Sequence, residues 1–246
     1  MASGSAAFGT PRRHFRVTDS TNERARDLAA AGATSGTIVT AAEQTEGRGR
    51  RGRQWTAPAG KAVLCSAVLS PLDARHALLP LAAPLAVCEA AESLAPLECR
   101  VKWPNDVWVG ERKLAGILIE AQPPNWAVIG IGLNVSIERD EFPADLRRPA
   151  TSMGRGVGTE AALAAVCECL DEWVDADRDR VLAEFRKRDA LRGGEIGWVG
   201  AGGAAEDGSG VADGIDDRGN LVVVSSEGER LSLGSGEVTL RLKPID

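Results

Sequence analysis

Residues 111–135 read ERKLAGILIEAQPPNWAVIGIGLNV. Two apolar runs flank Pro123-Pro124-Asn125, and runs of this kind bounded by turn residues predict a strand hairpin. Gly130 and Gly132 interrupt the second run. They do not make a dinucleotide-binding fingerprint, because no helical pattern follows them.

Working outward, strand and helix patterns mix. DSTNERARDLAAAG predicts a helix capped by Asp19 or Ser20, with Glu23 placed for a capping box and Gly32 at its end. GTIVTAAEQ and Lys61–Ser70 predict strands. ARHALLPLAAPLAVCEAAESL has helical periodicity that Pro80 and Pro84 oppose, so the helix is expected to start or bend near Pro80. CRVKWPNDVWV predicts a strand broken by a Pro104-Asn105-Asp106 turn. TEAALAAVCECLDEWV places Leu163, Val166, Cys167, Leu170, Trp173 and Val174 on one helical face. RDRVLAEFRKRDA predicts a further helix with a charged face. From Arg192 the chain is Gly-rich and strand-patterned, with a hairpin turn at Asp217–Asn220, which suggests a small β-barrel. The class is α+β, with expected domains at 1–191 and 192–246.

The chain has 246 residues, 43% hydrophobic and 26% charged, as in an ordinary globular protein. Five cysteines with no C-x-x-C spacing read as small core hydrophobes in a reducing compartment. No apolar run approaches the ~20 residues of a membrane span. Residues 1–15, MASGSAAFGTPRRHF, lack a signal peptide's apolar core and read as a loose leader, so a cytoplasmic protein is expected. The net charge of -6 argues against nucleic acid as the main partner. His14 and His76 are the only histidines, and they read as a leader residue and a helix-start residue. Chemistry here is expected to run on Lys, Arg, Asp, Asn and backbone groups, which suit phosphates and carboxylates.

Against that acidic background, EGRGRRGRQW (46–55) holds four arginines and three glycines. Gly47, Gly49 and Gly52 let backbone N–H groups approach a ligand, and arginines offer bidentate donors. The alternation makes a cradle for an anion and a candidate lid, with Trp55 to stack on a flat ring or anchor the lid's end. A basic surface loop or nucleic-acid patch is the plainer reading. Lys102 and Asp106 flank the turn in VKWPNDV, where Asp106 can bind Mg²⁺ or orient Lys102, or the motif is simply a turn. In KLAGILIE, Lys113 opens an apolar strand and Gly116 leaves room against it. IGIGLNV ends in Asn134.

Taken in order, S-T-N, G-R-G-R-x-G-R-x-W, K-W-P-N-D, K-L-A-G-I-L-x-E and G-x-G-x-N resemble the biotin–protein ligases over residues 17 to 245. The resemblance implies a mixed sheet backed by helices, akin to class II aminoacyl-tRNA synthetases, followed by an SH3-like barrel. It implies biotin and ATP with Mg²⁺ as reactants, biotinyl-5′-adenylate as intermediate, and a lysine of a biotin carboxyl carrier domain as acceptor. By the same resemblance Ser20, Thr21, Asn22 and Gln44 contact biotin. Gly47, Arg48, Gly49, Arg50 and Arg51 close over the adenylate, with Arg48 nearest the carboxylate and α-phosphate. Trp55 and Asn134 lie by adenine, Lys113 by the carboxylate and phosphate, and Gly116 on the adjoining strand. Lys102, Asn105 and Asp106 face phosphate, metal or acceptor.

Two departures accompany the resemblance. Glu46 stands where the family has a small residue, and is expected to pair with Arg50 or Arg51. Fewer than 20 residues precede Ser20, too few for the winged helix-turn-helix of some members, so no operator binding is expected. A monomer or homodimer is expected. The rival readings are a lipoate ligase or octanoyl transferase, which lack the Gly/Arg loop, a biotin sensor, and a nucleic-acid binder.

Overall fold

The computed structural model describes residues 7–144, 146, 148–200, 207–235 and 238–242. Its first part comprises β1 (Arg12–Thr18), α1 (Thr21–Ala30), β2 (Ile38–Gln44), β3 (Ala62–Leu69), α2 (Leu79–Leu94), β4 (Cys99–Lys102), β5 (Asp106–Val109), β6 (Arg112–Gln122), β7 (Trp126–Asn134), α3 (Thr159–Val174) and α4 (Arg178–Arg188). The seven strands form one mixed sheet in the order β1-β2-β3-β7-β6-β5-β4. Only β1 and β2 run parallel. The hairpin read from residues 111–135 is its centre, with Gly116 opposite Gly132.

The helices cover the faces as their apolar positions require. Val166, Cys167, Leu170, Trp173 and Val174 of α3 are buried, and α3 packs on α2. Phe185 of α4 is fully buried, a burial worth about 1.5–3 kcal/mol. α1 lies on the other side, where Ala25 and Ala29 meet Val39, Val68 and Val128. Pro80 falls in the first turn of α2, as expected of a residue that lacks an N–H. A 3-10 turn at Ala74–Leu78 precedes it, capped by Asp73 and His76.

The chain then forms β8 (Glu195–Gly200), β9 (Gly208–Ile215), β10 (Leu221–Ser225), β11 (Arg230–Leu233) and β12 (Val238–Leu242). These make an antiparallel five-stranded sheet, ordered β11-β10-β9-β8-β12. Among the described residues no pairing joins β11 to β12, so the sheet is open where a barrel was expected. Asp216 organises the expected hairpin turn by accepting from the N–H groups of Arg218 and Asn220. This sheet shares one hydrophobic core with the larger one. Trp103, 1% exposed, donates its indole N–H to the Gly219 carbonyl across the joint.

Three sequence expectations need correction. Arg12–Thr18 is a strand and Phe8 is buried, so the leader is part of the fold from there on. A parallel edge strand rich in arginine lacks the apolar alternation that reveals strands. The capping box at α1 is absent: Ser20 makes no side-chain cap bond, and Glu23 turns to Arg48 and Arg26. Finally, Ala74–Leu94 is one helical run of 21 residues, long and apolar enough to cross a membrane. Two-thirds of its most apolar stretch is buried against the protein, which makes it a core helix.

Candidate functional site

A cavity opens where the start of α1, the end of β2, the Gly/Arg loop and the β4–β5 turn meet the face of β6 and β7. Its floor is made of glycines for steric reasons. A Cβ on Gly130 would lie 1.9 Å from Asn22 Oδ1, and one on Gly132 would lie 2.3 Å from the Trp55 ring. A Cβ on Gly116 would come within 3.1 Å of both Trp55 and Lys113 Nζ. The G-x-G pattern therefore clears space for two side chains.

One wall is neutral and polar. Ser20, Thr21, Asn22 and Ser66 are buried. The backbone N–H and hydroxyl of Thr21 donate to Gln44 Oε1 at 2.7 and 3.0 Å. The Ser66 hydroxyl lies 2.8 Å from Thr21 Oγ1 and 2.6 Å from Asn22 Oδ1. Asn22 Nδ2 donates to Glu120 at 2.9 Å. Buried polar groups must find partners, and here they satisfy one another in fixed orientations. Ser66 was not legible beforehand: a lone serine in the apolar run of β3 gives no periodic signal.

The opposite end is cationic. Lys113 Nζ lies 2.8 Å from Asp106 Oδ1. Lys102 stands opposite Asp106 in the backbone register of β4 and β5. Burial pulls the Lys102 ammonium below the usual lysine range; Asp106 opposes this, while Lys113, Arg53 and Arg50 add to it. Burial likewise lowers Arg50, with Arg51 and Arg53 adding and Asp106 opposing. Arg50 donates to Asn105 Oδ1 at 3.4 Å and to the Ser235 carbonyl at 2.5 Å, so it ties the loop to the turn and to the second sheet. Asn105 is laced to β6 through Ile117 in both directions, at 2.8 and 2.9 Å. Four cations around one carboxylate leave an excess of positive charge, which favours a polyanionic ligand.

The loop between these ends is folded on itself. Gly49 N–H donates to Arg53 O, and Trp55 N–H to Gly47 O. A side chain on Gly47 would strike the Trp55 carbonyl at 2.2 Å. Arg51 holds φ 58°, ψ 44°, a left-handed conformation that an L-residue adopts at a cost. Trp55 lies on the glycine floor with Lys113 Nζ 5.4 Å from its ring centroid, a cation–π distance. Its buried indole N–H has no acceptor among the described residues.

Of the residues named from the sequence, Ser20, Thr21, Asn22, Gln44, Arg48, Gly49, Arg50, Trp55, Lys102, Asn105, Asp106, Lys113 and Gly116 line this one cavity. Gly47 lines its neighbour along the loop. Asn134 stands apart: it is 3% exposed and donates to the Thr151 carbonyl at 2.9 Å. Arg48 is turned away from Asp106 and Lys113, onto Glu23. Glu46 donates its N–H to the Asp19 carbonyl, while Arg50, one of its two expected partners, is engaged by Asn105 and Ser235. Neither histidine lines the cavity. Among the described residues, no three His, Cys, Asp or Glu side chains are grouped to hold a metal.

Known proteins resemble this chain in sequence and in fold. Residues 14–135 match the biotin/lipoate A/B protein ligase family, and residues 205–241 the biotin protein ligase C-terminal domain. The chain is 37% identical over 159 residues to the bifunctional ligase/repressor BirA of Bacillus spizizenii, covering 62% of this chain and 49% of that protein. It thus spans about half the length of the first relatives it matches. It is 34% identical over 236 residues to the biotin–[acetyl-CoA-carboxylase] ligase of Mycobacterium tuberculosis, covering 90% of this chain and 85% of the relative. The structure of the Aquifex aeolicus biotin protein ligase in complex with biotin and ATP superposes with a TM-score of 0.82 at 28% identity, over 95% of this chain and 100% of that one.

Proposed function

This chain belongs to the biotin–protein ligase family, and on that premise we propose that it is an ATP-dependent biotin–[acetyl-CoA-carboxylase] ligase. It activates biotin to biotinyl-5′-AMP and passes the biotin to a lysine of a biotin carboxyl carrier domain. The observation that carries this reading is the division of the cavity. A neutral wall of fixed amide and hydroxyl groups stands at one end, Lys113, Lys102 and Arg50 stand at the other, and Trp55 lies between.

In the first step a biotin carboxylate oxygen bonds to the α-phosphorus of ATP, and pyrophosphate leaves. Both reactants are anionic, so their approach is opposed until cations lie between them. Lys113 and Arg50 align the two groups and stabilise the charge that builds on the α-phosphate. The Thr21–Asn22–Gln44 wall takes the ring system's polar head, and Trp55 packs against the bound adenylate. Mg²⁺ would be held by Asp106 together with the phosphates, the usual arrangement for that ion, and would neutralise the departing pyrophosphate. Asn134 keeps its adenine role on the resemblance alone, its amide N–H being spent on Thr151.

In the second step the acceptor amine attacks the carbonyl carbon, AMP leaves, and the ammonium proton passes to Asp106. A lysine is almost wholly protonated at neutral pH, so it needs both the neighbouring cations and an acceptor for that proton. Residues 1–191 form the catalytic domain. Residues 192–246 form an SH3-like module whose Ser235 carbonyl anchors Arg50. The protein works in the cytoplasm as a monomer or homodimer.

Exchange of labelled pyrophosphate into ATP, with biotin, lipoate or no acid, tests the reading. Exchange with biotin alone is expected. Exchange with lipoate would move the protein to the sister activity, and none with either acid would favour a sensor.

A further inference from the structure

One charged cluster beside the cavity has no part in the chemistry above. Arg48 Nη1 bonds to Glu23 Oε1 on α1 and lies 3.6 Å from Glu120 Oε1 on β6. Arg26 lies 3.3 Å from Glu23 and 3.6 Å from the same oxygen of Glu120. The other oxygen of Glu120 accepts from Asn22 Nδ2 at 2.9 Å. Asn22 in turn sits over Gly130 on the floor. One carboxylate therefore holds the cavity wall on one side and the loop on the other.

We propose that Glu23 and Glu120 are positioning residues, a carboxylate clasp that fastens the Gly/Arg loop through Arg48 to the wall residue Asn22. With the loop down, two carboxylates share two arginines. With the loop lifted they share Arg26 alone, and their mutual repulsion is less compensated. Closing the loop therefore relieves a like-charge contact, which biases the equilibrium toward the closed state. The pair is also diverted from other work: Glu23 gives up the capping box that its spacing offered. Holding Arg48 away from an anionic ligand is the competing role for the same contacts. The clasp is favoured because Lys113, Lys102 and Arg50 already supply the cations at the anionic end. The consequence for the adenylate rests on the function proposed above: a loosened clasp lets the mixed anhydride escape or meet water before transfer.

Trypsin cleavage of the full chain at the arginines of residues 50–53 tests the clasp without any substrate. Arg48 and Glu23 are half-exposed, at 42% and 34%, so each contact is weak and screened by salt. Glu23→Gln and Glu120→Gln are expected to speed loop cleavage by about three-fold, with an unchanged melting temperature. High salt should bring the wild type toward them. Glu23→Gln combined with Arg48→Gln should cleave no faster than Arg48→Gln alone, and Glu23→Asp should recover part of the protection. With biotin and ATP but no carrier, Glu23→Gln should release more AMP per pyrophosphate exchanged. Equal cleavage in all variants, or strictly multiplicative effects in the double variant, would overturn the clasp. So would a lower biotin KM in Glu23→Gln with unchanged cleavage, which assigns the carboxylates to restraining Arg48. If the wild type exchanges pyrophosphate with no acid, the functional reading fails, while the cleavage series still decides the clasp.

Discussion

The indole of Trp55 occupies the space where a side chain on Gly132 would stand, 2.3 Å from its ideal Cβ. The loop and the sheet are thereby complementary at a single atom. Gly132→Ala should displace Trp55 and with it the end of the loop. Alanine in a strand is otherwise favoured over glycine by about 0.5–1 kcal/mol, so a loss of stability would itself report the clash. Biotin KM is expected to rise at least ten-fold, with a shifted tryptophan emission. An unchanged KM would show that Trp55 has no part in ligand binding.

Lys113 and Asp106 are in contact, and Asp106, beyond the Mg²⁺ it would hold in the first step, is assigned to proton acceptance in the second. Lys113→Met should lower pyrophosphate exchange by roughly 10²–10³-fold, the usual cost of removing a group that meets developing charge. Asp106→Asn should retain a substantial part of exchange and lose most transfer from preformed adenylate to carrier. Full transfer by Asp106→Asn would remove it as proton acceptor.

Asp189, 2% exposed, accepts from the Leu191 N–H at 2.8 Å, while its Oδ2 has no partner among the described residues. Burial raises its carboxyl above the usual range, against the N–H groups of Leu191 and Arg192. Between the unfolded pKa and this raised value the folded state binds more protons than the unfolded one, so the group's contribution to stability falls as pH rises through that window. Asp189→Asn removes this dependence. Its stability relative to wild type should therefore improve from pH 3.5 to pH 7, as read from urea midpoints. A difference that does not vary with pH would refute the assignment.

All five cysteines are unpaired, and four are buried. Burial and nearby carboxylates push Cys167 up to about 11 and Cys169 up to about 12. Burial raises Cys65 and Cys88 as well, the latter with Cys99 adding. At pH 7.5 the thiolate fraction of Cys167 is below about one in 10³. Iodoacetamide should label the native protein slowly and the urea-unfolded protein at all five positions. Rapid native labelling of Cys169 would contradict its raised pKa.

Much of this was legible in the chain because local signals agreed. β6 and β7 announced themselves by apolar runs around Pro123-Pro124, and the helices by one-sided apolar faces ending in capping or breaking residues. The site motifs were legible as a series, since K-W-P-N-D and K-L-A-G each place a charge at a strand end, where a side chain can reach a cavity. β1 escaped notice because an arginine-rich strand at a sheet edge shows no alternation. Ser66 escaped because one hydroxyl in an apolar strand says nothing of what lies above it.

Sequence by itself determined which residue types were available: arginines on glycine backbone, a lysine and an aspartate flanking a turn, a second lysine at a strand start, and a G-x-G that leaves a sheet face bare. Tertiary structure alone decided their partners. It set Asn22 and Trp55 on the two glycines, gave Arg50 to Asn105 and Ser235, and gave Arg48 to Glu23 and Glu120. Arg48 and Arg50 are alternate members of one repetitive run, chemically identical and equally mobile when unfolded. Only the packing of α1, β6 and the second sheet around the loop makes their surroundings differ, and a charge takes the nearest partner that folding brings to it.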